Sequence, residues 1–267
     1  GTIATLRLNN GLWDETVSGY PADNLKIERL LDLLFSLKVL ETKTSRADLY
    51  NRLGVERIDQ PAARGIQLRI GDASSASYTM TFGDLTSNGQ YMRPNDESTT
   101  LLIAPAIEIP IDRIEWLERG LLNIPATELT GIKLQPADDQ LVELVKLEPD
   151  QPRFTLLNIP QNRELATPDA ANSIAGILSE LQLESVRQIA SIELDEPELT
   201  GEFFTRDGAI IQVAAFTAKD GMYFSFNILR ESAQVDANLA ARLQGWAYTL
   251  PTFKRNQFLT RMDDLLK

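Results

Sequence analysis

Apolar and polar positions change period several times along the 267 residues, and those changes mark out the elements. Thr5-Leu6-Arg7-Leu8, Asn9-Asn10-Gly11 and Leu12-Trp13 read as a hairpin closed by an Asn/Gly turn. After Pro21, Asp23 is a candidate N-cap for an apolar stripe at helical spacing from Leu25 to Leu37. A short helix is predicted over Arg46 to Leu53, with Gly54 as its left-handed C-terminal cap. Period two then takes over in Ile66-Leu68-Ile70 and Tyr78-Met80-Phe82, separated by a loop from Gly71 to Ser77. Asn88-Gly89 is a turn ahead of Tyr91-Met92-Arg93, Thr100 to Ala104 is a strand, and Pro110 opens a helix carrying Ile114, Trp116 and Leu117.

The second half begins with strands around Leu129 to Leu134 and Leu141 to Leu147. Thr167-Pro168-Asp169 is a helix start, with an N-cap, a proline in the first turn and an acid favoured by the dipole. Two Asp-Gly turns, Asp207-Gly208 and Asp220-Gly221, split Glu202 to Ile228 into a three-stranded meander. Val235 to Leu243 reads as a helix ending at Gly245, Trp246 to Pro251 as a strand, and Phe253 to Leu266 as an amphipathic terminal helix.

The two halves echo each other. Ile27, Leu30, Leu33, Leu34 and Leu37 fall on Ala171, Ile174, Ile177, Leu178 and Leu181 at a constant offset. Glu148-Pro149-Asp150-Gln151 stands where Asn9-Asn10-Gly11 stood, and Phe154 stands for Trp13. This predicts an α+β fold of two tandem repeats, 1–126 and 127–267, each an antiparallel sheet packed against one or two helices. No strand–helix–strand alternation of a doubly wound parallel sheet is visible.

Composition then narrows the chemistry. The chain holds no histidine and no cysteine, which removes Ser-His-Asp and Cys-His catalysis and zinc sites built on nitrogen and sulfur. Carboxylate chemistry, a Ser/Lys arrangement and oxygen-ligated Mg²⁺ or Ca²⁺ stay open. A net charge of −12 repels phosphate backbones and anionic lipid, so neither nucleic acid nor direct membrane adhesion is expected. Apolar runs such as Leu101 to Pro105 fall far short of the roughly 20 residues that span a bilayer. Gly1 in place of an initiator Met reads as the residue left by a cleaved tag.

Candidate sites are few. Gly71 to Ser77 lacks the Gly-Lys-Ser/Thr ending of a phosphate loop and reads as a surface connection. Asp138-Asp139, Asp263-Asp264 and Asp195-Glu196-Pro197-Glu198 could supply paired carboxylates, although adjacent acids on turns usually point into water. Trp13, Trp116 and Trp246 could line a groove, but each sits among aliphatics in a patterned element and reads as core. Tyr78, Tyr91 and Arg93 could share a sheet face; they suit a binding hot spot and a solvated face equally well. The terminal helix, with Phe258, Leu259, Met262, Leu265 and Leu266, could dock a partner or cap its own lobe.

The order Trp13, Pro21-Ala22-Asp23, the Leu-rich helix, Leu53-Gly54, Tyr91-Met92-Arg93, Trp116-Leu117, Leu121-Leu122-Asn123-Ile124-Pro125, Gly245-Trp246 and Leu250-Pro251 resembles the bacterial family catalogued as domain of unknown function 4340. The resemblance runs through nearly the whole chain and rests on many weak motifs in order. It implies an exported domain behind one N-terminal transmembrane helix, often beside gliding-motility-type ABC transporter subunits, and it carries over no catalytic residues. The expectation is therefore a non-enzymatic extracytoplasmic (periplasmic-side) domain of a membrane-anchored accessory protein. It would need no cofactor and would work with an ABC-type transporter or envelope machinery through protein contacts. The N-terminal anchor would lie outside this sequence. A glycan- or peptide-binding module with an aromatic-lined cleft between the repeats is a second reading. A carboxylate hydrolase, with two or more acids of raised pKa in one cleft, is a third.

Overall fold

In the first hairpin, Asn10 and Gly11 both adopt positive φ (50° and 84°), the pair of values a tight two-residue turn demands. They join β1 (Leu6–Asn9) to β2 (Leu12–Glu15) as the predicted hairpin, with Asn9, read as part of the turn, ending the first strand opposite Leu12. The computed structural model describes residues 1–71, 77–94, 97–138, 140–148 and 150–267. The loop reading at Gly71 to Ser77, Asp139 and Pro149 therefore fall wholly or partly outside the described residues. The chain divides into one compact unit of Asp23–Trp116 and another of Thr2–Ala22 with Leu117–Lys267.

In the Asp23–Trp116 unit, α1 (Asn24–Phe35) starts where predicted: the Asp23 carboxylate accepts from Lys26 N at 3.0 Å. The helix buries Ile27 and Leu30. Five strands follow, β3 (Lys38–Thr42), β4 (Ile66–Ile70), β5 (Tyr78–Thr86), β6 (Gly89–Pro94) and β7 (Leu101–Ala104), forming an antiparallel sheet in the order β3-β7-β6-β5-β4. The β5–β6 hairpin turns on Ser87-Asn88, since Thr86 pairs with Gly89. Between β3 and β4, Ala47–Arg52 is a single 3₁₀ helix rather than an α-helix, and Arg113–Trp116 is likewise 3₁₀. Short connectors of this kind commonly adopt the tighter i→i+3 pattern, and Leu53 N donates to Tyr50 O in that way at 3.0 Å.

The second unit centres on an eight-stranded antiparallel sheet. After the short β8 (Gly120–Leu122) come β9 (Leu129–Pro136), β10 (Val142–Val145) and β11 (Thr155–Leu156). Next are β12 (Leu181–Gln182), β13 (Ser185–Gln188), β14 (Leu199–Thr205), β15 (Ile210–Ala218), β16 (Gly221–Arg230) and, after α2 (Ala237–Leu243), β17 (Trp246–Thr249). The large sheet runs β11-β10-β9-β14-β15-β16-β17-β13, while β12 pairs with β8. Both predicted Asp-Gly turns close the meander, with Gly208 and Gly221 at positive φ. Alternation along β14 and β15 buries Leu199, Phe203, Ile211, Val213 and Ala215. Phe258 meets Phe203, Phe224 and Phe226 at ring-centroid distances of 5.9, 5.2 and 6.0 Å, forming an aromatic core.

Two predicted helices take other forms. The stripe Ala171, Ile174, Ile177, Leu178 and Leu181 is buried, yet only Ala170–Ile174 is helical, as a 3₁₀ turn, and Leu181 already belongs to β12. Lys254 explains how the chain leaves the helix: its Nζ donates to the carbonyls of Gly176 (2.7 Å), Ile177 (3.1 Å) and Ser179 (2.7 Å). Those acceptors are satisfied without a helical ladder. The terminal helix is split into α3 (Thr252–Phe258) and α4 (Met262–Leu265). Asp264 accepts the Arg261 backbone N–H at 2.9 Å, so a new N-terminus is capped where one continuous helix was expected. Of the three tryptophans, Trp116 is buried, while Trp13 and Trp246 are half-buried.

Candidate functional site

Tyr78, Tyr91 and Arg93 do not form one surface. The β5–β6 register sets Thr81 opposite Arg93 and Phe82 opposite Met92. By strand alternation Tyr91 and Arg93 share a face, and Tyr78 lies on the other. Tyr78 is exposed and Tyr91 half-buried, but Arg93 is only 6% exposed.

Arg93 is held by the chain that crosses its face of the sheet. Its Nε donates to Val55 O at 3.0 Å, and its guanidinium stands over the Tyr50 ring at 4.9 Å. The Tyr50 hydroxyl donates to Ser98 O. Asp84 N donates to Leu53 O at 2.9 Å, and Arg64 bridges Asn51 O (2.8 Å) and the Asp84 carboxylate (3.0 Å). Gly54, at φ +69°, allows the reversal that brings Val55 over the sheet.

The register continues across three strands: Gln67 on β4 faces Thr81 on β5, which faces Arg93 on β6. Beside this row lies a pocket of about 430 Å³ lined by Arg57, Ile58, Asp59, Gln67 and Arg93. Arg57 makes a two-point contact with Asp59, at 3.2 and 2.9 Å. The hydrogen bonds from Arg57 hold the Asp59 carboxyl below the ordinary carboxylate range. Of these residues the sequence pattern singles out Arg93 but not Arg57, Asp59 or Gln67. The available signal was local charge: five arginines against three acids between Arg46 and Arg69, in an otherwise acidic chain.

The other unit carries a smaller pocket of about 270 Å³, lined by Pro136, Ala137, Asp138, Glu198, Leu199, Leu259 and Arg261. Arg261 Nη1 bonds Asp138 Oδ1 at 2.8 Å and holds that carboxyl below its ordinary range. Asp263 pairs with Arg163 at 3.0 Å, while Asp195, Glu196 and Glu198 are exposed. Asp48, Asp207 and Asp236 are also held low, first by hydrogen bonds from Arg46, from Ser232 and from the Leu239 backbone, respectively. A general acid needs the opposite displacement. Among the described residues no group of three or more Asp or Glu side chains is placed to hold a metal ion. No helix among them is long and apolar enough to cross a membrane.

These features define a largely antiparallel α+β protein. A family model described as Domain of unknown function (DUF4340) matches residues 15–200, more than half of the chain, and the chain belongs to that family. No curated protein and no solved structure matches it.

Proposed function

We propose that this chain is a non-enzymatic extracytoplasmic domain of a membrane-anchored accessory protein, acting with an ABC-type transporter or envelope machinery through protein contacts. The observation that carries the reading is an apolar patch where α1 passes into β3. Phe35 is 88% exposed, Val39 58%, Leu40 50% and Leu33 39%. β3 is also an edge strand. Such side chains on a soluble surface favour a protein partner. The β3–β7 register skips Leu40, and a bulge of that kind spoils the edge as a template for strand addition. Contact through side chains is therefore favoured over an added strand. Depressed acid pKa values and the lack of histidine and cysteine weigh on the non-enzymatic side.

The same reading derives the two halves from one duplicated unit. The buried Ala171, Ile174, Ile177 and Leu178 fall in step with Ile27, Leu30, Leu33 and Leu34, of which Ile27 and Leu30 are buried. Aligned halves in relatives of the family would test that descent. The functional reading is tested by co-expressing the native gene with its neighbouring transporter subunits and purifying the membrane complex. Co-purification that is lost in a Phe35→Glu, Val39→Glu double variant of unchanged stability supports it. A wild-type protein that never leaves the cytoplasm, or that co-purifies with no subunit, overturns it.

A further inference from the structure

The pocket of the Asp23–Trp116 unit has a chemistry that the proposed accessory role leaves unused. Two guanidinium groups and one carboxamide, from Arg57, Arg93 and Gln67, line about 430 Å³. Arg93 is buried, and its Nε is occupied by Val55 O at 3.0 Å. Apart from a long 3.5 Å approach of Nη1 to Glu97 O, its other N–H groups make no hydrogen bond to the described residues. A buried guanidinium with spare donors favours an acceptor-rich partner. The Gln67 carboxamide likewise makes no hydrogen bond among the described residues, and it stands two strands away from Arg93 in the same register row.

Asp59 is the sole carboxylate in the described lining, and it is engaged by Arg57. Both partners of that pair are well exposed, at 73% and 62% of their side-chain area. Ion pairs so open to water are weak, so Arg57 can turn to another anion. The net charge of −12 does not forbid this. At physiological ionic strength screening acts over about 8 Å, so acids beyond that reach weigh little on an anion held between Arg57 and Arg93.

We propose that this pocket is an oxyanion-binding site, in which Arg57 and Arg93 clamp a carboxylate or phosphate-type group and the Gln67 carboxamide donates a further hydrogen bond. Planar guanidinium donors match both anion geometries, and Gln67 adds a neutral donor that orients the group. The site is independent of the accessory role: its failure leaves the partner experiment untouched, and the reverse also holds.

The test is a titration of the full chain with sodium phosphate, sodium acetate and, at matched ionic strength, sodium chloride, following the arginine Nε–H resonances by NMR. Arg57 and Arg93 resonances are expected to shift saturably with phosphate or acetate and not with chloride. Saturation by phosphate alone assigns a tetrahedral oxyanion, and saturation by acetate alone assigns a carboxylate. Arg57→Gln and Gln67→Leu, both at positions that can change without opening the core, should each weaken binding roughly tenfold at unchanged Tm. Shifts that follow ionic strength alike in all three salts overturn the site. Saturable binding that survives unchanged in both variants overturns it as well.

Discussion

Tyr20 stands edge-on to Trp246, with ring centroids 5.0 Å apart and planes at 89°. Tyr20 is fully buried and also lies 6.1 Å from the Tyr248 ring, so the N-terminal segment contributes a core residue to the unit built from Leu117–Lys267. The Tyr20 and Tyr248 hydroxyls lie near one another, yet neither reaches a hydrogen bond of standard geometry.

Truncating that ring should therefore cost far more than trimming its hydroxyl. Tyr20→Ala is expected to lose roughly 3–5 kcal/mol, the range for deleting a buried aromatic. Tyr20→Phe removes a desolvated oxygen that gains little in return and should lie within about 1 kcal/mol of wild type, on either side. Chemical denaturation of the two variants measures the contrast. Equal losses would mean that the hydroxyl, and not the ring contact with Trp246, does the stabilising.

Alkaline pH should unfold this unit through the same pair. Burial raises the Tyr20 pKa to about 12, from an ordinary value of 10.0, and raises that of Tyr248 as well. Ionisation is thus easier in the unfolded chain. The stabilisation is fully present below pH 10 and is lost as pH climbs towards 12, amounting for Tyr20 to about 3 kcal/mol. Tyrosinate absorbance and circular dichroism should change together over that window in wild type. Tyr20→Phe should move the transition to higher pH.

Lys254 is the residue on which the non-helical path of 176–179 depends. Burial lowers its pKa, yet three carbonyls from Gly176, Ile177 and Ser179 converge on its ammonium. Lys254→Met keeps most of the aliphatic stem and takes the ammonium donor from all three, of which Gly176 O retains the Ser179 N–H at 3.1 Å. The expected cost is roughly 2–4 kcal/mol, seen as a lower denaturation midpoint with an unchanged slope. Full stability in Lys254→Met would mean that the turns stand on their packing alone.

What was legible in the chain follows the reach of each interaction. The Asp23 cap, the Asn10-Gly11 turn and both Asp-Gly turns are local, and the structure keeps them. The stripe from Ala171 to Leu181 marked the right buried residues but not their conformation. The ammonium that takes the carbonyls belongs to Lys254, more than 70 residues away. At the candidate site, Arg93 was visible as a polar residue in an alternating strand. Its burial under Tyr50 and Val55, and its row with Gln67, depend on register and on a crossing segment that no local pattern encodes.

Gly54 and Gly89 separate two reasons for glycine within one unit. Gly54 has φ +69°, and a Cβ there would lie 2.6 Å from Asp84 Oδ1, an atom at the end of a movable side chain. Gly89 carries no positive φ, but its Cβ would come within 2.1 Å of the Ile103 carbonyl oxygen on the paired strand. Gly54→Ala should cost about 1–2 kcal/mol, chiefly from the left-handed backbone. Gly89→Ala must push β7 away from β6 and should cost more, at or above the roughly 1–3 kcal/mol of an overpacked core. Asp84→Ala distinguishes them in a double-mutant cycle: it should recover the steric part of the Gly54→Ala loss and none of the Gly89→Ala loss. Denaturation midpoints of wild type, the three single variants and the two double variants supply the cycles, and equal recovery at both glycines would refute the distinction.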